Sequence, residues 1–63
     1  MWFLRAVELP GGEWACRHGL AEFDTHAHLH DALSHLRVLA DDFAPATLVI
    51  HHRDGLVERV PAA

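Results

Sequence analysis

The chain has 63 residues, about half of them hydrophobic and 22% charged, a balance typical of one small folded domain (residues 1–63) rather than a disordered chain. Its net charge of −4 comes from nine acidic residues against five scattered arginines, and this acidic balance disfavours nucleic-acid binding. The single cysteine excludes an internal disulfide, so a metal or a partner chain is the remaining source of added stability for so short a domain.

The first residues carry no signal for export or membrane insertion. The apolar start, residues 1–4 (MWFL), is interrupted by Arg5 and Glu8 and is too short for a signal peptide or a membrane span. Together with the lone cysteine, this predicts a cytoplasmic protein that has no membrane partner.

A β-hairpin is predicted at the start of the chain. Residues 2–9 (WFLRAVEL) are rich in side chains that suit a pleated, half-buried surface, and residues 13–18 (EWACRH) form a second such run. Residues 10–12 (PGG) between them are a strong turn signal. Residues 19–24 are predicted to connect this hairpin to a helix.

One helix is predicted in the middle of the chain. Asp24 or Thr25 is a suitable N-cap, and Pro45 marks the latest position at which the helix can end. The apolar stripe at i, i+3, i+4, i+7 spacing consists of Leu29, Ala32, Leu33, Leu36, Leu39, Ala40 and Phe43.

A second hairpin is predicted after the helix. Residues 47–52 (TLVIHH) and 56–60 (LVERV) are β-rich, and residues 53–55 (RDG) contain the Asp-Gly turn signal. The order of elements predicts an α+β fold of the two-layer ββαββ type, with one helix on one face of a four-stranded antiparallel sheet.

The sheet face opposite the helix is predicted to be an association surface. Its candidate interface residues are Phe3, Arg5, Val7 and Val49. Exposed apolar sheet surface commonly marks an interaction site, so the favoured function is a non-enzymatic protein–protein interaction module that forms a homodimer through the sheet face or edge.

Histidines are concentrated in residues 25–35 (THAHLHDALSH). On a helix, His28, Asp31 and His35 share one stripe at i, i+3 and i+7, which makes them candidate metal ligands. His26 and His30 have the i, i+4 spacing of a zinc-binding pair, but the glutamate that would serve as base is missing. The favoured interpretation is an exposed polar flank without a cofactor, and transition-metal binding is the alternative.

No catalytic constellation is evident in the sequence. Cys16 and His18 alternate on one strand and are conceivable as a nucleophile and its base. A buried cysteine that acts as a small hydrophobic residue is the commoner situation, so the chain is not predicted to be an enzyme.

Residues 11–16 (GGEWAC) are similar to a G-x-W-x-V pattern, residues 23–25 (FDT) open a helix, and residues 48–59 (LVIHHRDGLVER) are similar to V-V-H-x-x-D-G-x-I-x-x-R. Together these three motifs resemble a family of small bacterial domains of unknown function. The resemblance covers nearly the whole chain and implies a ββαββ domain, with no activity to transfer. The chain departs from the family in having no lysine and in a histidine-rich insert before Asp31.

The first two-thirds is also similar to the small domain of HicB-type antitoxins. The similarity lies in the Gly-Gly-x-Trp turn of residues 11–14 and the Asp-Thr helix start of residues 24–25. It implies, as a further alternative, a partner that neutralises a toxin.

Overall fold

The computed structural model describes residues 2–19 and 21–60. Its elements, in chain order, are β1 (Trp2–Glu8), β2 (Trp14–His18), β3 (Ala21–His26), α1 (Leu29–Asp42), β4 (Ala46–His51) and β5 (Val57–Val60). The strands form one five-stranded sheet in the order β3-β2-β1-β4-β5, so the fold is α+β with a mixed sheet.

The two predicted hairpins are confirmed. β1 pairs antiparallel with β2, and β4 pairs antiparallel with β5. The first turn is closed by a hydrogen bond from the Leu9 amide to the Glu13 carbonyl oxygen at 2.8 Å. Gly12 within it has a φ of 94°, a conformation that favours glycine.

The prediction of a four-stranded sheet is wrong, because residues 21–26 form β3 rather than a connection. β3 pairs antiparallel with β2 at the edge of the sheet. Only its first four residues alternate between apolar and polar, and four of its six residues are exposed, so its sequence gives a weak signal for a half-buried strand.

The predicted start of the helix is also wrong. Asp24 and Thr25 lie in β3, and α1 begins at Leu29 with His28 as its N-cap residue. The His28 side chain makes no capping hydrogen bond. Pairing of residues 24 and 25 with β2 therefore overrides their capping preference.

The sheet is mixed rather than fully antiparallel, which is a third correction. β1 and β4 run parallel, with Trp2 opposite Ala46 and Val7 opposite His51. α1 is the crossover that carries the chain from β3, at one edge, to β4 on the far side of β1. Parallel neighbours need such a long connection, because a tight turn can only reverse the chain.

The core lies between α1 and one face of the sheet. Its buried members are Leu4, Ala6, Cys16, Ala32, Leu36 and Leu48. Since side chains alternate along a strand, the odd-numbered residues of β1 point to the opposite face, which α1 leaves uncovered. We call this the open face.

Within residues 2–19 and 21–60, no helix combines the length and the apolar character needed to cross a bilayer.

Candidate metal centre

Four potential metal ligands converge where β2, β3 and α1 meet. Cys16 on β2 lies directly opposite Asp24 on β3. His26 follows two residues later on β3 and therefore shares the face of Asp24, while His35 comes from α1 above them. The chain thus brings a thiol, a carboxyl group and two imidazoles together from three elements.

A β-bulge accompanies this convergence. The register between β2 and β3 shifts between Cys16 and Arg17, so that Cys16 pairs with Asp24 whereas Arg17 pairs with Glu22. A bulge changes the direction in which neighbouring side chains point and strengthens the local twist. It lies immediately beside the pair that brings the thiol and the carboxyl group together.

The donor atoms of the four side chains all lie within 4.8 Å of one another. Asp24 is central, because its Oδ1 lies 3.1 Å from His26 Nε2 and its Oδ2 lies 2.8 Å from His35 Nδ1. The two histidines approach each other to 3.4 Å between His26 Nε2 and His35 Nδ1. The carboxylate thus accepts a hydrogen bond from His26 and lies within ion-pair distance of His35 on its other side.

Cys16 forms the buried floor of the group. Its side chain is fully buried, and its thiol donates a weak hydrogen bond to the Ala32 carbonyl oxygen at 3.5 Å. Burial, followed by the negative charge of Asp24 and the ability of its carboxylate to accept a hydrogen bond from the thiol, raises the pKa of Cys16 from 9.0 to about 12. Asp24, His26 and His35 are half-buried and form the side that faces solvent.

A cysteine, a histidine and an aspartate in contact also suggest a nucleophilic triad, but the environment of Cys16 opposes this. A catalytic thiol needs a lowered pKa and access for a substrate. Here the thiol pKa is raised, the side chain is fully buried, and the described part of the chain contains no cavity. His18, the other conceivable base, instead packs against Trp2 with ring centroids 4.2 Å apart and ring planes tilted by 48°.

Metal binding suits the same four groups. Sulfur, imidazole nitrogen and carboxylate oxygen are the donors that zinc prefers, at bond lengths of about 2.0–2.3 Å in a tetrahedron. Those bonds place neighbouring donor atoms about 3.3–3.8 Å apart. The observed spacings of 2.8–3.4 Å around Asp24 and His26 need only small outward movements of the side chains to reach that range.

The predicted metal-binding set shares one residue with this group. His35 belongs to it, whereas His28 and Asp31 are exposed at the start of α1 and lie outside it. His26 and His30 do not share a helix face as their i, i+4 spacing suggests, because His26 belongs to β3.

Cys16, Asp24 and His26 are candidate ligands that the sequence pattern does not indicate. The available signal was the i, i+2 spacing of Asp24 and His26, which places two donors on one face of a strand. That signal is visible only once residues 21–26 are recognised as β3.

The predicted interface residues do share one surface. Phe3, Arg5 and Val7 alternate with the core residues of β1, and Val49 on β4 lies directly opposite Arg5. Phe3 is 49% exposed, whereas Val49 is buried among its neighbours. The structure therefore places all four on the open face.

Comparison with protein-family models, curated proteins and solved structures gives no match for this chain. The two resemblances drawn from its motifs therefore stay predictions.

Proposed function

We propose that the protein is a transition-metal-binding domain, with zinc as the metal that its donor set fits best. The observation that carries the proposal is the convergence of Cys16, Asp24, His26 and His35 within 4.8 Å. A thiolate with two imidazoles favours zinc and its neighbours in the transition series over magnesium or calcium, which prefer oxygen ligands.

The position of the group supports a structural role for the metal. Four protein ligands fill a tetrahedral zinc site and leave no position for a substrate. A metal bound there would join β3, an exposed edge strand, to β2 and α1. A chain of 63 residues is within the size range in which such a link makes a large contribution to stability.

Native mass spectrometry of the full chain after addition of one equivalent of zinc tests the proposal. We expect one bound ion in the wild type and in His30→Gln, a matched control whose exposed side chain lies outside the group. His35→Gln is expected to lose the ion. His28→Gln distinguishes the two candidate sets, because it keeps the ion if the group described here binds it.

Substitution of cobalt for zinc tests the predicted sulfur ligand directly. A thiolate bound to cobalt gives a charge-transfer absorption band that nitrogen and oxygen ligands do not give. We expect this band in the wild type and its loss in Cys16→Ala. If wild-type protein binds no metal, or if the band survives in Cys16→Ala, the proposal is wrong.

We also propose that the open face binds another polypeptide chain, of which the homodimer predicted from the sequence is one form. The observation in favour is the exposure of apolar side chains there, since Phe3 is 49% and Val57 54% exposed. Arg5→Glu or Val7→Asn should weaken such an assembly, and Arg37→Glu, on the exposed side of α1, should not. Sedimentation velocity measures the mass in solution, and an assembly unchanged in both face variants would place its interface elsewhere.

A further inference from the structure

Three of the five arginines form a row across the open face. Arg17 on β2 lies directly opposite Arg5 on β1. Arg5 lies opposite Val49 on β4, which in turn lies opposite Arg59 on β5. The row therefore crosses four adjacent strands and is interrupted only by a buried valine.

This arrangement is unusual in a chain with nine acidic residues and a net charge of −4. Like charges placed directly opposite on neighbouring strands destabilise a sheet. Glu22, paired with Arg17 at 3.4 Å, is the only acidic residue that the described strands place on this face. Arg5 donates a hydrogen bond to the uncharged Gly19 carbonyl oxygen, so two of the row's three positive charges have no acidic partner among the described strand residues of this face.

Apolar side chains flank the row on both sides. Phe3 lies on one side, and Val7 and Val57 lie on the other. Arginine combined with apolar side chains is typical of protein interfaces. A nucleic acid is less suitable, because bases need several aromatic platforms and the described strands place only the rings of Phe3 and His51 on this face.

The spacing of the row matches one side of an α-helix. Neighbouring strands are about 4.8 Å apart, which places Arg17 and Arg5 about 5 Å apart and Arg5 and Arg59 about 10 Å apart at their backbones. At a rise of about 1.5 Å per residue, carboxylates at positions i, i+3 and i+10 of a helix have these separations and lie within about 80° of one another.

We propose that the open face binds an acidic amphipathic helix of another protein, which lies across the strands with carboxylates at i, i+3 and i+10 against Arg17, Arg5 and Arg59. The inference rests on the second proposed function, association through this face, and names its partner. A second copy stacked face to face would instead bring two arginine rows together, and charge complementarity therefore favours the acidic helix.

The test uses the full chain and a fluorescent helical peptide of about five turns, with glutamates at i, i+3 and i+10 and leucines beside them. A control peptide has the same composition with the glutamates on the opposite side. Fluorescence anisotropy should show binding of the first peptide, weakening as salt increases, and at least about fivefold weaker binding of the control.

Variants of the protein locate the contact. Arg5→Gln and Arg59→Gln should each weaken binding at least about fivefold, and Arg37→Gln, which removes an exposed arginine from α1, should leave it unchanged. Equal binding of both peptides, or equal effects of the three substitutions, would show that only net charge is involved and would overturn the proposal.

Two further outcomes separate this inference from the function on which it rests. In the first, the protein forms a dimer, Arg5→Glu and Val7→Asn disrupt it, and the dimer does not bind the peptide. The open face is then an association surface, but a second copy of the chain occupies it. If a single-stranded oligonucleotide binds more tightly than the peptide and the same arginine variants weaken it, the partner is a nucleic acid. Either result would contradict the proposal that an acidic helix binds the open face.

Discussion

Zinc should stabilise the fold strongly, and the size of the effect can be estimated. A ligand present at 100 times its dissociation constant stabilises the folded state by about 2.7 kcal/mol. In a domain of this size, 1 kcal/mol shifts the melting temperature by about 4–8 °C. The wild type should therefore melt about 11–22 °C higher with zinc than with a chelator, as measured by circular dichroism.

Removal of one ligand should nearly abolish this shift. If His26→Gln weakens binding about 100-fold, the same zinc concentration contributes about 0.4 kcal/mol, which corresponds to about 2–3 °C. His30→Gln removes an exposed histidine outside the group and should keep the full shift. A full shift in His26→Gln, or none in the wild type at saturating zinc, would refute the assignment of these ligands.

The structure supports four further expectations. Because the pKa of Cys16 is raised from 9.0 to about 12, a metal that binds the sulfur must displace the thiol proton. Zinc affinity should therefore rise about tenfold per pH unit above about pH 7.5, and it should rise less steeply in Cys16→Ala. The same shift means that the metal-free protein loses stability as the pH rises from about 9 towards 12, because the unfolded thiol ionises first. Leu36→Ala should lower the free energy of unfolding by about 2–5 kcal/mol in urea, whereas Val38→Ala, 63% exposed on the same helix, should change it by less than about 0.5 kcal/mol. Gly55→Ala should cost about 1 kcal/mol or more in the same assay, because the φ of Gly55 is 99°, and an unchanged midpoint would contradict the assigned turn.

The parts of the fold that depend on local chemistry were predictable from the sequence. Residues 10–12 and 53–55 carry turn signals, and both hairpins form where they were expected. The apolar stripe of the helix likewise places Leu36 in the core. These features depend on neighbouring residues alone, and the sequence displays them directly.

The parallel pairing of β1 with β4 was not predictable in this way. Two hairpins and a helix are equally compatible with several strand orders, because the apolar pattern does not specify which edges of the hairpins meet. The sequence also does not predict β3. This strand lies at the edge of the sheet and most of its residues are exposed, so few apolar side chains mark it as a strand.

The candidate metal site could be predicted only in part, because two of its residues lie on β3, the strand that the sequence does not predict. The histidine-rich segment predicts metal ligands on α1, and one of them, His35, belongs to the group. The sequence pattern predicts a helix cap at Asp24 and a helical conformation at His26, whereas both residues belong to β3. Cys16 joins them through the pairing of β2 with β3, a contact that no local pattern reports.

The central position of β1 has a consequence for how the protein forms during synthesis. β1 leaves the ribosome before every other described strand, yet one of its edges stays unpaired until β4, with Ala46 opposite Trp2, has also emerged. Contacts between segments so distant in sequence form late and slow the folding of the whole domain. Until β4 pairs with it, that edge of β1 is open to pairing with other chains. All four proposed ligands precede β4 in the chain, so a metal ion bound to them would hold β2, β3 and α1 together while the last hairpin docks.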